Sequence, residues 1–126
     1  MSSQGSVRSG WPPGPNAEAC VRRGEIHWAT LPSSIGRRPV LLVTRTAAIA
    51  VRTAVTVAPI TRTIRGIPTE VPLGREHGLR ARSVASCDSL QTIPKDVLQT
   101  RPIGTLSGEE LAALDRALRF ALGIRA

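Results

Sequence analysis

The chain has few aromatic side chains and no long apolar run. Of its 126 residues only Trp11, Trp28 and Phe120 are Trp, Phe or Tyr. Proteins that bind single-stranded nucleic acid without sequence preference usually stack the bases on several aromatic rings. With so few rings, that mode of binding has little support here. No apolar stretch approaches the roughly 20 residues of a membrane-spanning helix. The sequence therefore predicts a protein without a membrane segment.

Cysteine and histidine are also scarce. Cys20 and Cys87 have no metal-ligand spacing, and two unpatterned thiols suit a reduced cytoplasm. No glycine loop that would cradle a phosphate and no nucleophile elbow is present, which argues against nucleotide enzymes and hydrolases of those classes. Residues 1–20 lack the apolar core of a signal peptide. We expect a cytoplasmic protein that needs no metal and no cofactor.

Acidic residues and lysine are few, whereas arginine is abundant. Nine acidic residues face 17 basic ones, for a net charge of +8 and a pI of about 11.5, and Lys95 is the single lysine. Nine of the arginines lie between Arg37 and Arg82, a stretch whose only acidic residues are Glu70 and Glu76. The guanidinium fork matches phosphate oxygens. The charge predicts a polyanionic partner.

The length suits one domain. Residues 1–20, rich in Ser, Gly and Pro, are predicted to be a flexible leader, and residues 21–126 a single domain. Alternating or uniformly apolar runs predict six short strands, at 25–31, 39–44, 54–60, 69–73, 83–87 and 102–106. Pro59 suggests that the third is an edge strand or contains a bulge, and residues 47–52 fit either a turn or a short helix.

The C-terminal segment carries the clearest helix signal. Ser107 and Glu110 form a capping box, and Gly123 is placed to end the helix. Short strands followed by one helix predict a mainly β protein, a small and partly open β-barrel with a helix packed on it. The apolar stripe of this helix, expected to pack on the core or on a second copy, consists of Leu111, Leu114, Leu118 and Leu122.

Two polar side chains stand at the ends of apolar strands. Arg38 enters one strand and Thr61 leaves another, 23 positions later. This separation fits two neighbouring strands joined by a connecting segment. A guanidinium and a hydroxyl could then meet on one surface and bind a phosphodiester. On the sequence alone, a solvated charge at a strand end and a threonine at a strand edge remain the alternative reading.

Six short motifs occur in an order that resembles a known family. They are residues 23–28 (RGEIHW), 36–40 (GRRPV), 58–61 (APIT), 67–71 (IPTEV), 83–84 with 87–88 (SV and CD), and 103–107 (IGTLS). Together, over about residues 22–124, they resemble the MazF/PemK toxins of toxin–antitoxin systems. The resemblance implies a dimeric SH3-like barrel, similar in fold to CcdB. It also implies an mRNA interferase, which cleaves single-stranded RNA at short sequences without a metal and is neutralised by an acidic antitoxin segment lying across the RNA groove.

The resemblance places the catalytic positions at Arg38 and Thr61. RNA is cleaved when its 2′-hydroxyl attacks the adjacent phosphate, and a fixed guanidinium would stabilise the charge that develops on the phosphorane. Thr61 suits a hydrogen bond to a phosphate oxygen. The resemblance also implies that Arg38 takes part in proton transfer. The residues themselves do not show this, because arginine is essentially always protonated.

Residues around these two positions are expected to bind RNA. Arg62 and Arg65 suit phosphates, and Asp88 could accept from a base or brace an arginine. The loop at 32–36 is shorter than in many family members, and residues 88–91 depart from the usual family pattern, so the resemblance implies the reaction but not which RNA sequence is recognised. The RNA-binding set predicted in full is Arg37, Arg62, Thr63, Arg65, Asp88 and Gln91.

Three other readings stay open. His27 and His77 could form the acid–base pair usual in metal-free RNA cleavage, although His27 lies in a predicted strand and His77 in a glycine-flanked loop. The barrel could belong to a CcdB-like toxin that binds a protein and cuts no RNA. It could also be an RNA-binding barrel without catalytic activity.

Overall fold

A computed structural model of the chain describes residues 21–31 and 36–125, in which seven strands and two α-helices occur. The strands are β1 (Glu25–Thr30), β2 (Arg37–Leu42), β3 (Ala54–Thr61), β4 (Glu70–Leu73), β5 (Ser83–Ser86), β6 (Gln91–Pro94) and β7 (Gly104–Thr105). The helices are α1 (Thr46–Val51) and α2 (Gly108–Leu122). The predicted leader, residues 1–20, lies outside the described residues, so its separation from a 21–126 domain stays a prediction.

All strand pairs are antiparallel, and the sheet runs in the order β4-β5-β3-β2-β1-β7. β6 also pairs with β3, along residues 54–57, whereas β5 pairs with the last two residues of that strand. The sheet curls into a half-barrel that carries α2. This confirms the mainly β fold with a C-terminal helix.

Pro59 lies inside the sheet, and the expectation of an edge strand or a bulge is wrong. β3 pairs with β2 in unbroken register along residues 57–59. The carbonyl of Thr56 accepts a hydrogen bond at 3.0 Å from the N–H of Val43, the residue after β2, so the backbone groups of Thr56 point to the β2 side. Alternate residues of a strand direct their backbone groups to opposite sides. Pro59 therefore faces the gap between β6 and β5, where its missing N–H breaks no ladder hydrogen bond.

The other expected strands occur, with shifted ends. The region 102–106 contributes only the two residues of β7, and residues 47–52 resolve into a helix at Thr46–Val51. β6 had no sequence signal, because only Ile93 of its four side chains is buried and the strand ends in proline. So short a segment gives no alternation to detect.

The core consists of two apolar clusters, and β2 contributes to both. Leu41 belongs to the cluster beneath α2, with Ile26 and Leu114, while Val40 and Leu42 belong to the cluster that includes Ile49 of α1. Since successive side chains point to opposite faces of a strand, residues 40–42 of β2 are buried on both faces, as the apolar run in the sequence predicted.

The ends of α2 are as predicted. Ser107 Oγ accepts from Glu110 N–H at 3.2 Å, and Glu110 Oε1 accepts from Ser107 N–H at 2.8 Å. Gly123 ends the helix with φ of 71°, in the left-handed region that favours glycine. Of the apolar stripe, Leu114 is fully buried, whereas Leu122 is 57% exposed. No helix in the described residues is long and apolar enough to cross a membrane.

Candidate active site

A groove with a volume of about 400 Å³ opens where several strand ends meet. The start of β2, the end of β3, the segment that follows β3, and the turn between β5 and β6 form its walls. Its lining side chains are Leu31, Arg38, Pro59, Thr61, Thr63, Arg65, Ile67, Glu70, Ser86, Asp88, Ser89 and Gln91.

Arg38 and Thr61 enter this groove from neighbouring strands. The pairing of β2 with β3 ends with Val40 opposite Pro59, and Arg38 and Thr61 each lie two residues beyond that pair. Because residues two apart in a strand point to the same face of the sheet, the side chains of Arg38 and Thr61 lie on the face that carries the side chains of Val40 and Pro59. The sequence-based expectation that two neighbouring strands bring a guanidinium and a hydroxyl to one surface is confirmed.

The hydroxyl of Thr61 is held by the chain that follows it. Thr61 Oγ1 accepts from Thr63 N–H at 3.1 Å, a local turn typical of Ser and Thr. A hydroxyl has two lone pairs and one proton. The bond from Thr63 N–H occupies one lone pair, so the hydroxyl can still donate a hydrogen bond to an oxygen in the groove.

Two carboxylates in the groove take hydrogen bonds from the protein. Asp88 Oδ2 accepts from Thr69 Oγ1 at 2.6 Å. Glu70 accepts from Arg65 N–H at 3.1 and 3.2 Å, one bond to each of its carboxylate oxygens, and from Gly66 N–H at 2.9 Å. Both acids therefore fix segments of the groove wall.

Six of the eight sequence-predicted site residues line the groove: Arg38, Thr61, Thr63, Arg65, Asp88 and Gln91. Arg37 does not line it; its guanidinium carbon lies 5.2 Å from the centre of the Trp28 ring. Arg62 is exposed outside the lining. Asp88 accepts from a threonine rather than bracing an arginine, one of the two roles that the sequence suggested, and its acceptance from a base stays a prediction.

The histidines form no pair in the groove. His27 is fully buried, with Nδ1 2.6 Å from Gln99 O and Nε2 2.9 Å from Glu25 Oε1. His77 is also buried, and neither histidine lines the groove. Buried imidazoles with both nitrogens engaged fit a structural role, which leaves the acid–base pair without geometric support.

His77 anchors the first turn of α2. Its Nδ1 accepts from Gly74 N–H at 3.1 Å, and its Nε2 lies 2.8 Å from Glu110 Oε2. Hydrogen bonding by Ser107 N–H, and to a smaller extent by His77, lowers the pKa of Glu110 against the opposing effect of burial. Glu76, His77 and Glu110 are close enough to share a metal ion. None of the three lines the groove, and the hydrogen bonds of His77 and Glu110 account for their placement.

Cys87 follows β5 next to the groove residue Asp88. Burial, with a smaller contribution from Asp88, raises the pKa of its thiol to about 11. The nucleophilic form of cysteine is the thiolate. Cys87 is therefore a packing residue, as the sequence indicated.

Glu70 is the charged residue of the groove that was not among the predicted site residues. The sequence feature that could have indicated Glu70 is an acidic residue at the start of a predicted strand, within the arginine-rich stretch 37–82. Its hydrogen-bond partners, however, lie on the far side of a turn closed by Glu70 N–H and Ile67 O at 3.1 Å, and only the folded chain shows that turn.

The chain is a curled antiparallel sheet with an arginine and a threonine in one groove, and comparison with known proteins identifies its family. Residues 22–122 match the family described as "PemK-like, MazF-like toxin of type II toxin-antitoxin system". The chain belongs to this family, as the order of its motifs indicated.

Individual relatives agree with the family match. The chain is 45% identical over 98 residues to "Endoribonuclease MazF3" of Mycobacterium tuberculosis, which covers 78% of this chain and 87% of that protein. The structure titled "Mycobacterium tuberculosis toxin MazF-mt6" is 44% identical, with a TM-score of 0.74, covering 81% of this chain and 99% of the other. A mycobacterial "endoribonuclease in complex with its cognate antitoxin" is 28% identical, with a TM-score of 0.73, covering 84% and 98%. The expected class, an endoribonuclease toxin, is confirmed.

Proposed function

We propose that the groove binds single-stranded RNA and cleaves it at a short sequence, without a metal, by attack of a ribose 2′-hydroxyl on the adjacent phosphodiester. The observation that carries this proposal is the meeting of Arg38 and Thr61 in one groove, on one face of neighbouring strands. A CcdB-like toxin that only binds a protein would not need a guanidinium and a hydroxyl placed to hold one phosphate.

The reaction exchanges one P–O bond for another. The 2′-oxygen loses its proton and bonds to phosphorus, the bond from phosphorus to the 5′-oxygen breaks, and that oxygen takes a proton. The products are a 2′,3′-cyclic phosphate and a 5′-hydroxyl. Arg38 faces the negative charge that develops on the phosphorane, and Thr61 donates a hydrogen bond to a phosphate oxygen. Such preorganised charge is usually a large part of catalysis.

Four other groove residues hold the RNA on either side of the cut. Arg65 suits a phosphate, while Thr63, Asp88 and Gln91 offer hydrogen-bonding groups to sugars or base edges. Arg37 and Arg62 lie outside the groove lining, and we assign them longer-range attraction of the polyanion. With few aromatic rings in the chain, charge and hydrogen bonds contribute more than stacking.

We further propose that the toxin works as a homodimer in the cytoplasm and that a cognate acidic antitoxin neutralises it by covering the groove. An acidic segment would compete with RNA for the same arginines. The mycobacterial relative solved with its cognate antitoxin supports this partner class.

The test is to incubate the purified chain with a long single-stranded RNA in excess EDTA and to map the new ends. We expect discrete cuts at a repeated short sequence, each leaving a cyclic phosphate. Intact RNA from a folded sample would contradict the proposal and favour the protein-binding or non-catalytic readings.

A further inference from the structure

The segment between β3 and β4 carries Arg65 into the groove and is itself exposed. All residues from 62 to 68 are exposed. The backbone N–H groups of Arg65 and Gly66 both bond to the carboxylate of Glu70. The position of Arg65 therefore depends on a side chain that is not adjacent to it in sequence.

Glu70 is itself rigidly placed. It is the first residue of β4 and lies opposite Ser86 of β5. The preceding residue, Thr69, is buried and is tied to the turn after β5 by two bonds, from Cys87 N–H to Thr69 O at 2.9 Å and from Thr69 Oγ1 to Asp88 Oδ2 at 2.6 Å. The carboxylate thus connects an exposed segment to a fixed part of the sheet.

Electrostatics alone would make Glu70 unfavourable in this groove. A carboxylate that lines a surface for RNA repels phosphates, and its removal would then tighten RNA binding. The three hydrogen bonds from Arg65 and Gly66 point to the opposite effect, because they hold the arginine where it can contact the ligand.

We propose that Glu70 is a positioning residue for RNA binding, which acts through Arg65 by fixing the backbone of the segment 62–68. This inference rests on the proposed function of the groove. It adds a residue that contacts no RNA itself, and it predicts that loss of a negative charge weakens the binding of a polyanion.

A double-mutant cycle tests the proposal with Arg65→Ala, Glu70→Ala and the double variant. The probe is a fully 2′-O-methylated, mixed-sequence RNA, which cannot be cleaved by its own 2′-hydroxyl, and binding is followed by fluorescence anisotropy. Arg65→Ala removes the guanidinium but keeps the backbone N–H that Glu70 binds. Glu70→Ala removes the hydrogen bonds to the backbone but keeps the guanidinium. Glu109→Ala, which removes an exposed acid of α2 outside the groove, is the matched charge control.

We expect each single variant to weaken binding about threefold or more, as for one partly exposed charged contact. The double variant should bind no more weakly than Arg65→Ala alone, because without the arginine there is nothing left to position. Glu70→Gln, which keeps one oxygen for two of the bonds, should restore part of the affinity. Glu109→Ala should not weaken binding.

Tighter binding by Glu70→Ala would overturn the proposal in favour of simple repulsion. If the two losses of affinity multiply in the double variant, Glu70 acts independently of Arg65 and the proposal is overturned. An unchanged affinity in Arg65→Ala would also overturn it, and so would a wild-type protein that does not bind the probe. Because the probe is not cleaved, a coupled cycle in a protein that cuts no RNA would sustain this inference while the proposed function fails.

Discussion

Arg38 and Thr61 are 23 positions apart in the sequence, yet each lies two residues beyond the Val40–Pro59 pair, at which the pairing of β2 with β3 ends. Both line the same groove. Antiparallel pairing of two short strands is sufficient to create this relationship, since it brings the start of one strand beside the end of the next.

Arg38→Ala should lower the cleavage rate by about 100-fold or more, the cost typical of removing one preorganised electrostatic group. The side chain is exposed, so the melting temperature should change little, and part of the RNA affinity should remain. Initial rates on a labelled RNA in EDTA give the measurement. Arg116→Ala, an exposed arginine of α2, serves as the control. Cleavage by Arg38→Ala at the wild-type rate would refute its assigned role.

Thr61→Val keeps the shape of the side chain and removes the hydroxyl. A hydrogen bond to a charged group is worth about 1.5–3 kcal/mol, so we expect a loss of about 10-fold or more in the cleavage rate. Thr61→Ser restores the hydroxyl and should recover most of the rate. If the serine variant were as slow as the valine variant, shape and not hydrogen bonding would explain the effect.

Glu110 should make the stability of the fold depend on pH. Its pKa is lowered in the folded state, so its contribution is present above the usual value of 4.5 and is lost as the pH falls through the folded pKa. Glu110→Ala should therefore lower the melting temperature clearly at pH 7 and by much less at pH 3. A difference of equal size at both pH values would contradict the role of the charge, and Glu109→Ala is the neighbouring control.

Substitutions of Leu114 and Leu122 should differ strongly in their effect on the free energy of unfolding, although both residues lie on the apolar stripe of α2. Leu114→Ala should cost about 2–5 kcal/mol of unfolding free energy, since the residue is fully buried. Leu122 is 57% exposed in the single chain, and its replacement by alanine should cost less than about 1 kcal/mol. Urea unfolding of both variants gives the comparison. A comparable loss at Leu122 would show that another surface covers it.

Local signals were read correctly from the sequence. The capping box of Ser107 and Glu110 joins residues three apart, and Gly123 ends the helix with its own backbone, so neither depends on the rest of the fold. Arg38 was found because the strand pattern and the resemblance pointed to the same residue. The location of six predicted site residues in one groove is confirmed; their roles in RNA cleavage stay predictions.

Other features needed the folded chain because their partners are remote. Pro59 suggested a sheet edge, but it lies at the gap between β6 and β5 in the interior of the sheet. Asp88 suggested a contact with a base or an arginine, yet Thr69, 19 positions earlier, donates to it. A single residue type does not reveal which of several distant partners will reach it.

The sequence by itself determined the charge of the surface, the terminal helix and its caps, and the strands that present Arg38 and Thr61. These depend on composition and on contacts between residues close in the chain. Tertiary structure alone decided that Asp88 braces the groove wall through Thr69, that the histidines are buried outside the groove, and that Arg37 stacks on Trp28. Hydrogen bonds act over about 3 Å, so such roles are set only when the curled sheet brings the remote segments together.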